Sequence, residues 1–166
     1  MAVHTGQSYC HQYVCIGAPD LEQLRTVPKA SDVEDSVIFY LHAAPTRPDI
    51  YYFCIYHYAK PVGQIMLHDI NTQTGESLIG YHLFQSDYRG QGIGTAALML
   101  LQAHVQATTA LARLIIITSR DNTASQRLAT KCGFYVIGPA REDPEHLIVF
   151  VWDVPRPTAA LDITEV

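Results

Sequence analysis

The sequence predicts a single mixed α/β domain: a twisted, mostly antiparallel sheet of about seven strands flanked by four helices. Three observations lead there. Runs rich in aromatic and β-branched residues between positions 50 and 84 are joined by short turns, the pattern of an antiparallel meander. From Gly92 the apolar period shifts to that of an amphipathic helix. Beyond it, strand-like and helical segments alternate to about residue 154. With 166 residues, 48 % apolar and 16 % charged, the chain can build a core and is too apolar for disorder.

Each element has its own signal. Residues 9–16 read as a strand, and Gly17-Ala18-Pro19-Asp20 breaks it and opens a short helix. Residues 31–43 form a second helix with Val33, Val37, Phe39, Tyr40 and Leu41 on or near its apolar side. A turn between Pro45 and Pro48 ends it. The meander is 50–58, 62–70 and 76–84, with turns at Ala59-Lys60-Pro61 and at 71–75. Ile93, Ala96, Ala97, Leu100, Leu101 and His104 then fall at helical spacing, to about Thr109. Residues 112–118 contain Leu114-Ile115-Ile116-Ile117, expected to be buried throughout. Asp121 is placed to cap a helix in which Ala124, Leu128 and Cys132 recur every fourth residue, and Gly133 to stop it. Strands 134–137 and 146–154 follow. The domain is expected over 1–154, with 155–166 a loose tail.

Charge and cysteine usage exclude several classes. A net charge of -5 lacks the basic footprint of a nucleic-acid binder. Between Gln85 and Arg141 six basic residues face two acidic ones, while the remainder carries a net -9. One part can therefore hold an anion while the other accepts a cation, although ordinary solvated charge has the same look. No run is long and apolar enough for a membrane span, and residues 1–15 carry no secretory pattern. Cys10, Cys15, Cys54 and Cys132 are too few and scattered for a disulfide framework, and Cys10 and Cys15 make no CxxC pair. A reducing, cytoplasmic setting is expected. The histidines show no metal-ligand spacing, His104 continues an apolar helix face, and no metal is expected.

The most informative segment is Tyr88-Arg89-Gly90-Gln91-Gly92-Ile93-Gly94-Thr95, between a strand and a helix. Glycines at alternate positions leave backbone N–H groups unshielded, and the helix N-terminus adds positive potential, which together suit phosphate. It is no P-loop, because Gly94 is followed directly by Thr95, and the glycine spacing is wrong for a dinucleotide fingerprint. Arg89-x-x-Gly92-x-Gly94 instead resembles the coenzyme A pyrophosphate loop of the GNAT superfamily of N-acetyltransferases. A second stretch, Asn122-x-x-Ser125 through Lys131-x-Gly133-Phe134, resembles that family's second cofactor helix. Its serine is typical of the branch related to ribosomal-protein N-terminal acetyltransferases.

The resemblance implies that acetyl-CoA is the cosubstrate. Backbone groups of His82, Leu83 and Phe84 would meet the pantetheine arm, as an added strand would. Arg89, Gly90, Gln91, Gly92, Ile93, Gly94 and Thr95 would hold the pyrophosphate. Asn122 would lie near the pantetheine and Ser125 near the thioester sulfur. Arg120, Arg127 and Lys131 are candidates for the 3′-phosphate, with plain surface solvation the competing role. Many family members use a tyrosine four residues before the Gly-Phe pair as the acid; here Ala129 stands there, which moves the role to Ser125.

For the base, strand alternation sets Leu78, Gly80, His82 and Phe84 on one side, if no bulge intervenes, and Tyr81 on the other. His82 is the titratable group of that series and its ordinary pKa suits a base, with a buried structural histidine as the competing reading. The resulting expectation is direct acetyl transfer to a primary amine in a ternary complex. A small amine is favoured by the acidic remainder and by Tyr51, Tyr52, Phe53, Tyr56 and Tyr58, which could wall a compact pocket. The alternatives are a peptide or protein N-terminal acceptor, and an acyl-CoA-binding module without turnover. A homodimer stays open.

Overall fold

The computed structural model describes residues 8–157. Eight strands form one sheet: β1 (Tyr9–His11), β2 (Val14–Gly17), β3 (Tyr51–His57), β4 (Lys60–Asn71), β5 (Glu76–Leu83), β6 (Arg113–Ser119), β7 (Tyr135–Pro139) and β8 (Leu147–Asp153). Four helices flank it: α1 (Leu21–Thr26), α2 (Ser31–Ala43), α3 (Ile93–Thr108) and α4 (Thr123–Lys131). The spatial order is β1-β2-β3-β4-β5-β6-β8-β7. Every neighbouring pair is antiparallel except β5 and β6. No helix among the described residues is long and apolar enough to cross a membrane.

The extra strand comes from residues 9–16, expected as one strand and found as a hairpin. Gln12 takes a left-handed φ of 52° and reverses the chain. The turn sets Cys10 directly opposite Cys15, and the two are joined in a disulfide. Counting cysteines missed this pair because only the unseen turn makes positions five apart face one another. The bond is also at odds with the reducing setting expected from the count.

Other elements lie close to their expected places. Asp20 caps α1, its carboxylate accepting the N–H groups of Glu22 and Gln23. Helix α2 spans the expected residues and buries Val33 and Val37, but Phe39 is 53 % exposed and lies off the core. In β6 alternate residues Leu114, Ile116 and Thr118 are buried while Ile117 is 37 % exposed, so the run is covered on one face only. Asn122, not Asp121, caps α4: its side-chain oxygen accepts the Ser125 N–H at 3.1 Å. Gly133 stops that helix with φ 82°. The expected tail begins tied down, since the Arg156 guanidinium donates to the carbonyls of Gln106, Thr109 and Leu111. Its remainder, 158–166, lies outside the described residues.

Two cores hold the layers together. The larger packs Ile93, Ala97, Leu98, Leu101 and Val105 of α3 on Ile16, Phe53, Ile55, Ile65, Leu67 and Leu114 of the sheet. His104 belongs to it as expected, edge-on to Tyr9 and Phe53. The smaller core, on the opposite face, joins Leu24, Val33 and Val37 of α1 and α2 to Cys54 and Phe84. Replacing Asp20 by Ala should remove the α1 cap, costing about 1 kcal/mol. Thermal melts should show a Tm lower by roughly 2–4 °C with the fold intact.

Candidate active site

The site is built on a place where the sheet opens. β5 pairs with β6 only through Glu76–Arg113, Ser77–Leu114 and Leu78–Ile115. After a register shift between His68 and Asn71 it pairs with β4 continuously from Leu78–His68 out to Leu83–Gly63, while β6 stays with β8 along its whole length. Beyond Leu78 the two central strands therefore diverge, each held by its outer neighbour.

Antiparallel alternation decides which β5 groups face the gap. The Phe84 N–H donates to the Val62 carbonyl, so even-numbered residues turn their backbone toward β4. Tyr81 and Leu83 then turn theirs toward the opening. Of the expected trio only Leu83 fits the strand-addition role, and Tyr81 joins it. Phe84 is excluded: its N–H serves Val62, its carbonyl accepts from Ala30, and its ring is fully buried. Lys29 caps the end of α1 through the carbonyls of Leu24 and Val27 and lies 5.6 Å from the Phe84 ring centre, fixing the α1–α2 connection there.

A cleft of about 650 Å³ fills the opening. Its floor comprises Tyr81, His82 and Leu83; one wall is Arg89, Gly90, Gly92, Gly94 and Thr95. Helix α4 supplies Asn122, Ser125, Arg127 and Lys131, and α2 supplies Asp32. Gly92 starts α3 in the left-handed region, φ 77°, and no side chain caps that helix. The first N–H groups of α3 are therefore available to an anion. Nothing lies within 4 Å of a Cβ built on Gly90 or Gly92, so the space above them is open. A Cβ on Gly94 would instead meet Leu128 at 2.8 Å, which makes Gly94 the contact that lets α4 approach. Gln91 bonds the Asp87 carbonyl and steadies the loop, while the Ile93 side chain is buried in the core. Arg120 donates to the Pro144 carbonyl and does not line the cleft, in contrast to Arg127 and Lys131.

Ser125 is 9 % exposed and its hydroxyl lies 2.5 Å from the Tyr81 hydroxyl. Burial raises the Tyr81 pKa, partly offset by that hydrogen bond, so the phenol keeps its proton. Sequence reasoning set Tyr81 aside for pointing away from His82. That orientation holds, and it is what carries Tyr81 to Ser125. On the opposite face His82 borders Asp32, and its Nδ1 lies 2.9 Å from Gln64 Nε2. Burial lowers the His82 pKa, with Asp32 opposing. Cys132 is buried and its thiol is pushed up to about 11, so it is no ready nucleophile.

The sequence matches the family model of the acetyltransferase (GNAT) domain over residues 11–135. The chain belongs to the GNAT acetyltransferase family. It is thus an acyltransferase whose cosubstrate is acetyl-CoA. No curated protein sequence matches it significantly. Among solved structures the GNAT fold recurs in the Salmonella typhimurium acetyl transferase that modifies the N-terminal serine of ribosomal protein L7/L12. That likeness has a TM-score of 0.73 at 18% identity, covering 90% of this chain and 100% of the other. The ribosomal-protein-S5-alanine acetyltransferase from Vibrio fischeri gives 0.70 at 16%, covering 93% and 100%. The microcin C7 self-immunity acetyltransferase, in complex with acetyl-CoA and AMP, gives 0.70 at 19%, covering 87% and 94%.

The two helix-side glycines should separate binding from folding. Gly92→Val is expected to abolish acetyl-CoA binding in calorimetry, because its side chain enters the open cradle; Gly94→Val should mainly lower Tm by forcing α4 outward. Unchanged affinity in a folded Gly92→Val protein would remove the pyrophosphate assignment.

Proposed function

We propose that this GNAT protein acetylates the terminal α-amine of a peptide or protein, by direct transfer in a ternary complex. One observation carries the choice of acceptor. None of the five aromatics expected to wall a compact pocket lines the cleft. Phe53 belongs to the α3 core, Tyr52 is buried, and Tyr56 is bonded to Ala18 and Asp20. Tyr58 stacks on Tyr13 at an exposed hairpin tip. The argument for a small amine therefore loses its structural half. Two of the fold neighbours, by their printed names, act on ribosomal proteins, which supports the same choice. An acceptor of that kind would place the reaction in the cytoplasm, where the Cys10–Cys15 pair, with Cys10 exposed, would be kept reduced.

Acetyl-CoA supplies the acetyl group as a thioester. Toward its phosphates the chain presents the α3 N–H groups with Arg89, and Arg127 and Lys131 from α4. The outward N–H groups of Tyr81 and Leu83 would hold the pantetheine, and one of them the oxyanion. On the α4 side Tyr81 and Ser125 share a short hydroxyl–hydroxyl hydrogen bond. With the protonated Tyr81 as its donor during transfer, the serine proton is free for the departing sulfur. On the α2 side Asp32 attracts the cationic amine, and His82, neutral at physiological pH, takes its proton directly or through one water. Acid and base thus reach the cleft from opposite faces of one strand.

Three measurements test this reading. Thioester cleavage with a panel of peptides and small amines should favour free peptide N-termini; activity confined to small amines would overturn the acceptor. Ser125→Ala and Tyr81→Phe should each lower kcat at least about tenfold with little change in acetyl-CoA affinity. Because burial depresses the His82 pKa, the acid limb of the rate should lie below the ordinary imidazole value of about 6.5, with activity falling as pH drops through it. His82→Gln should remove that limb and slow turnover by roughly 10²-fold. A wild-type profile in that variant would eliminate the base.

A further inference from the structure

Gln64 lies in the middle of β4 directly opposite His82, and its exposure is 0 %. Its Nε2 lies 2.9 Å from the Ser36 hydroxyl of α2 and 2.9 Å from His82 Nδ1. Its Oε1 is buried with no hydrogen-bond partner. One end of this amide therefore makes both contacts and the other end makes none, in a place water does not reach.

That arrangement constrains the ring. An amide NH₂ can only donate, so with Nε2 toward Nδ1 that ring nitrogen must accept. The neutral imidazole then carries its proton on Nε2, the nitrogen left for the cleft. A second proton on the ring would bring N–H against N–H. The conflict is relieved by turning the amide through a half-rotation about its last bond, so that Oε1 accepts from Nδ1–H. Ser36 tolerates either orientation because a hydroxyl both donates and accepts. At rest the observed orientation is favoured: it strands one carbonyl oxygen, whereas the turned one strands two N–H donors.

We propose that Gln64 is a positioning residue for His82: its amide holds the neutral ring in the Nε2–H form and must turn its oxygen to Nδ1 before the ring can take a second proton. Turned, Gln64 supports both the Nδ1–H tautomer, whose Nε2 lone pair faces the cleft, and the imidazolium. Entering that tautomer takes one proton from solvent onto Nδ1 as the amide turns and returns the resting Nε2 proton to solvent through the cleft. The amine proton then passes to the vacated Nε2, Nδ1–H stays bonded to Gln64, and the proton leaves Nε2 to solvent. The catalytic consequence rests on the base role proposed above; the control of the ring does not. Other titratable groups around His82 are Asp32 on α2, His68 farther along β4, and Lys29 in the α1–α2 connection. Tyr81, Tyr88 and Arg89 border the same cleft. Asp32 favours the imidazolium, and the Gln64 NH₂ facing Nδ1 opposes it by hydrogen-bond polarity, without carrying any charge.

The test is ¹⁵N NMR of the His82 ring in the full chain without substrate, for wild type, Gln64→Glu and Gln64→Met. Wild type should show Nε2–H in the neutral ring. Gln64→Glu should move the proton to Nδ1 and raise the His82 midpoint by at least about one pH unit, since a carboxylate only accepts. Gln64→Met, which keeps the volume and the burial but removes the amide, should release the tautomer, so that Nδ1–H appears in the neutral ring, and carries the test if the buried carboxylate prevents folding. A ring whose tautomer and midpoint match wild type in every folded variant would overturn the proposal. The acid limb of kcat/KM should follow the NMR midpoint in each variant. A midpoint that moves under a limb that stays put would uphold the control of the ring and eliminate His82 as base.

Discussion

The divergence of β5 from β6 is the constraint from which the site follows. Three parallel pairs hold the strands together, and past Leu78 each keeps a complete ladder on its far side only. Backbone groups of Tyr81 and Leu83 are thereby left at an opening in the middle of a sheet. Stranded groups of this kind are costly in a dry interior, so the opening must admit water or an extended ligand with its own amides. A pantetheine arm, with two amides spaced along an extended chain, meets that need as a short added strand would.

The same strand sorts the chemistry into two compartments. Successive side chains of β5 go to opposite faces, so Tyr81 reaches α4 while His82 looks toward α2. The hydroxyl pair proposed to donate and the imidazole proposed to accept are thus kept apart by the sheet itself. Their pKa values move in opposite directions under one cause: burial disfavours charge, which raises a phenol and lowers an imidazole. Both groups are neutral at physiological pH, the state each proposed role requires.

The charge asymmetry of the chain acquires a location in the cleft. Arg89, Arg127 and Lys131 border it from the loop and α4, and Asp32 from α2. Positive potential at the phosphate end adds to that of the uncapped α3 terminus. The small core around Phe84 and the Lys29 connection keeps α2, and with it Asp32 and Ser36, seated over the end of β5. Folding and the proposed acceptor recognition are coupled at that corner.

By itself the sequence determined the features that depend on neighbours along the chain. The meander, α3, the Gly92 helix start, the Ser125 position and the family all follow from local period, turn chemistry and spacing. Tertiary structure alone decided what depends on strand pairing. Cys10 meets Cys15 because a hairpin turn falls between them, and Phe84 is withdrawn from the cofactor because its backbone is committed to Val62 and Ala30. Phe53 and Tyr56 joined core and loop instead of an acceptor pocket, since an aromatic run alone does not say which face of its strand is covered. Tyr81 reached Ser125, and Gln64 reached His82, across 44 and 18 residues of chain. No local pattern encodes such contacts, because register between distant strands and helices is set by packing the whole sheet at once.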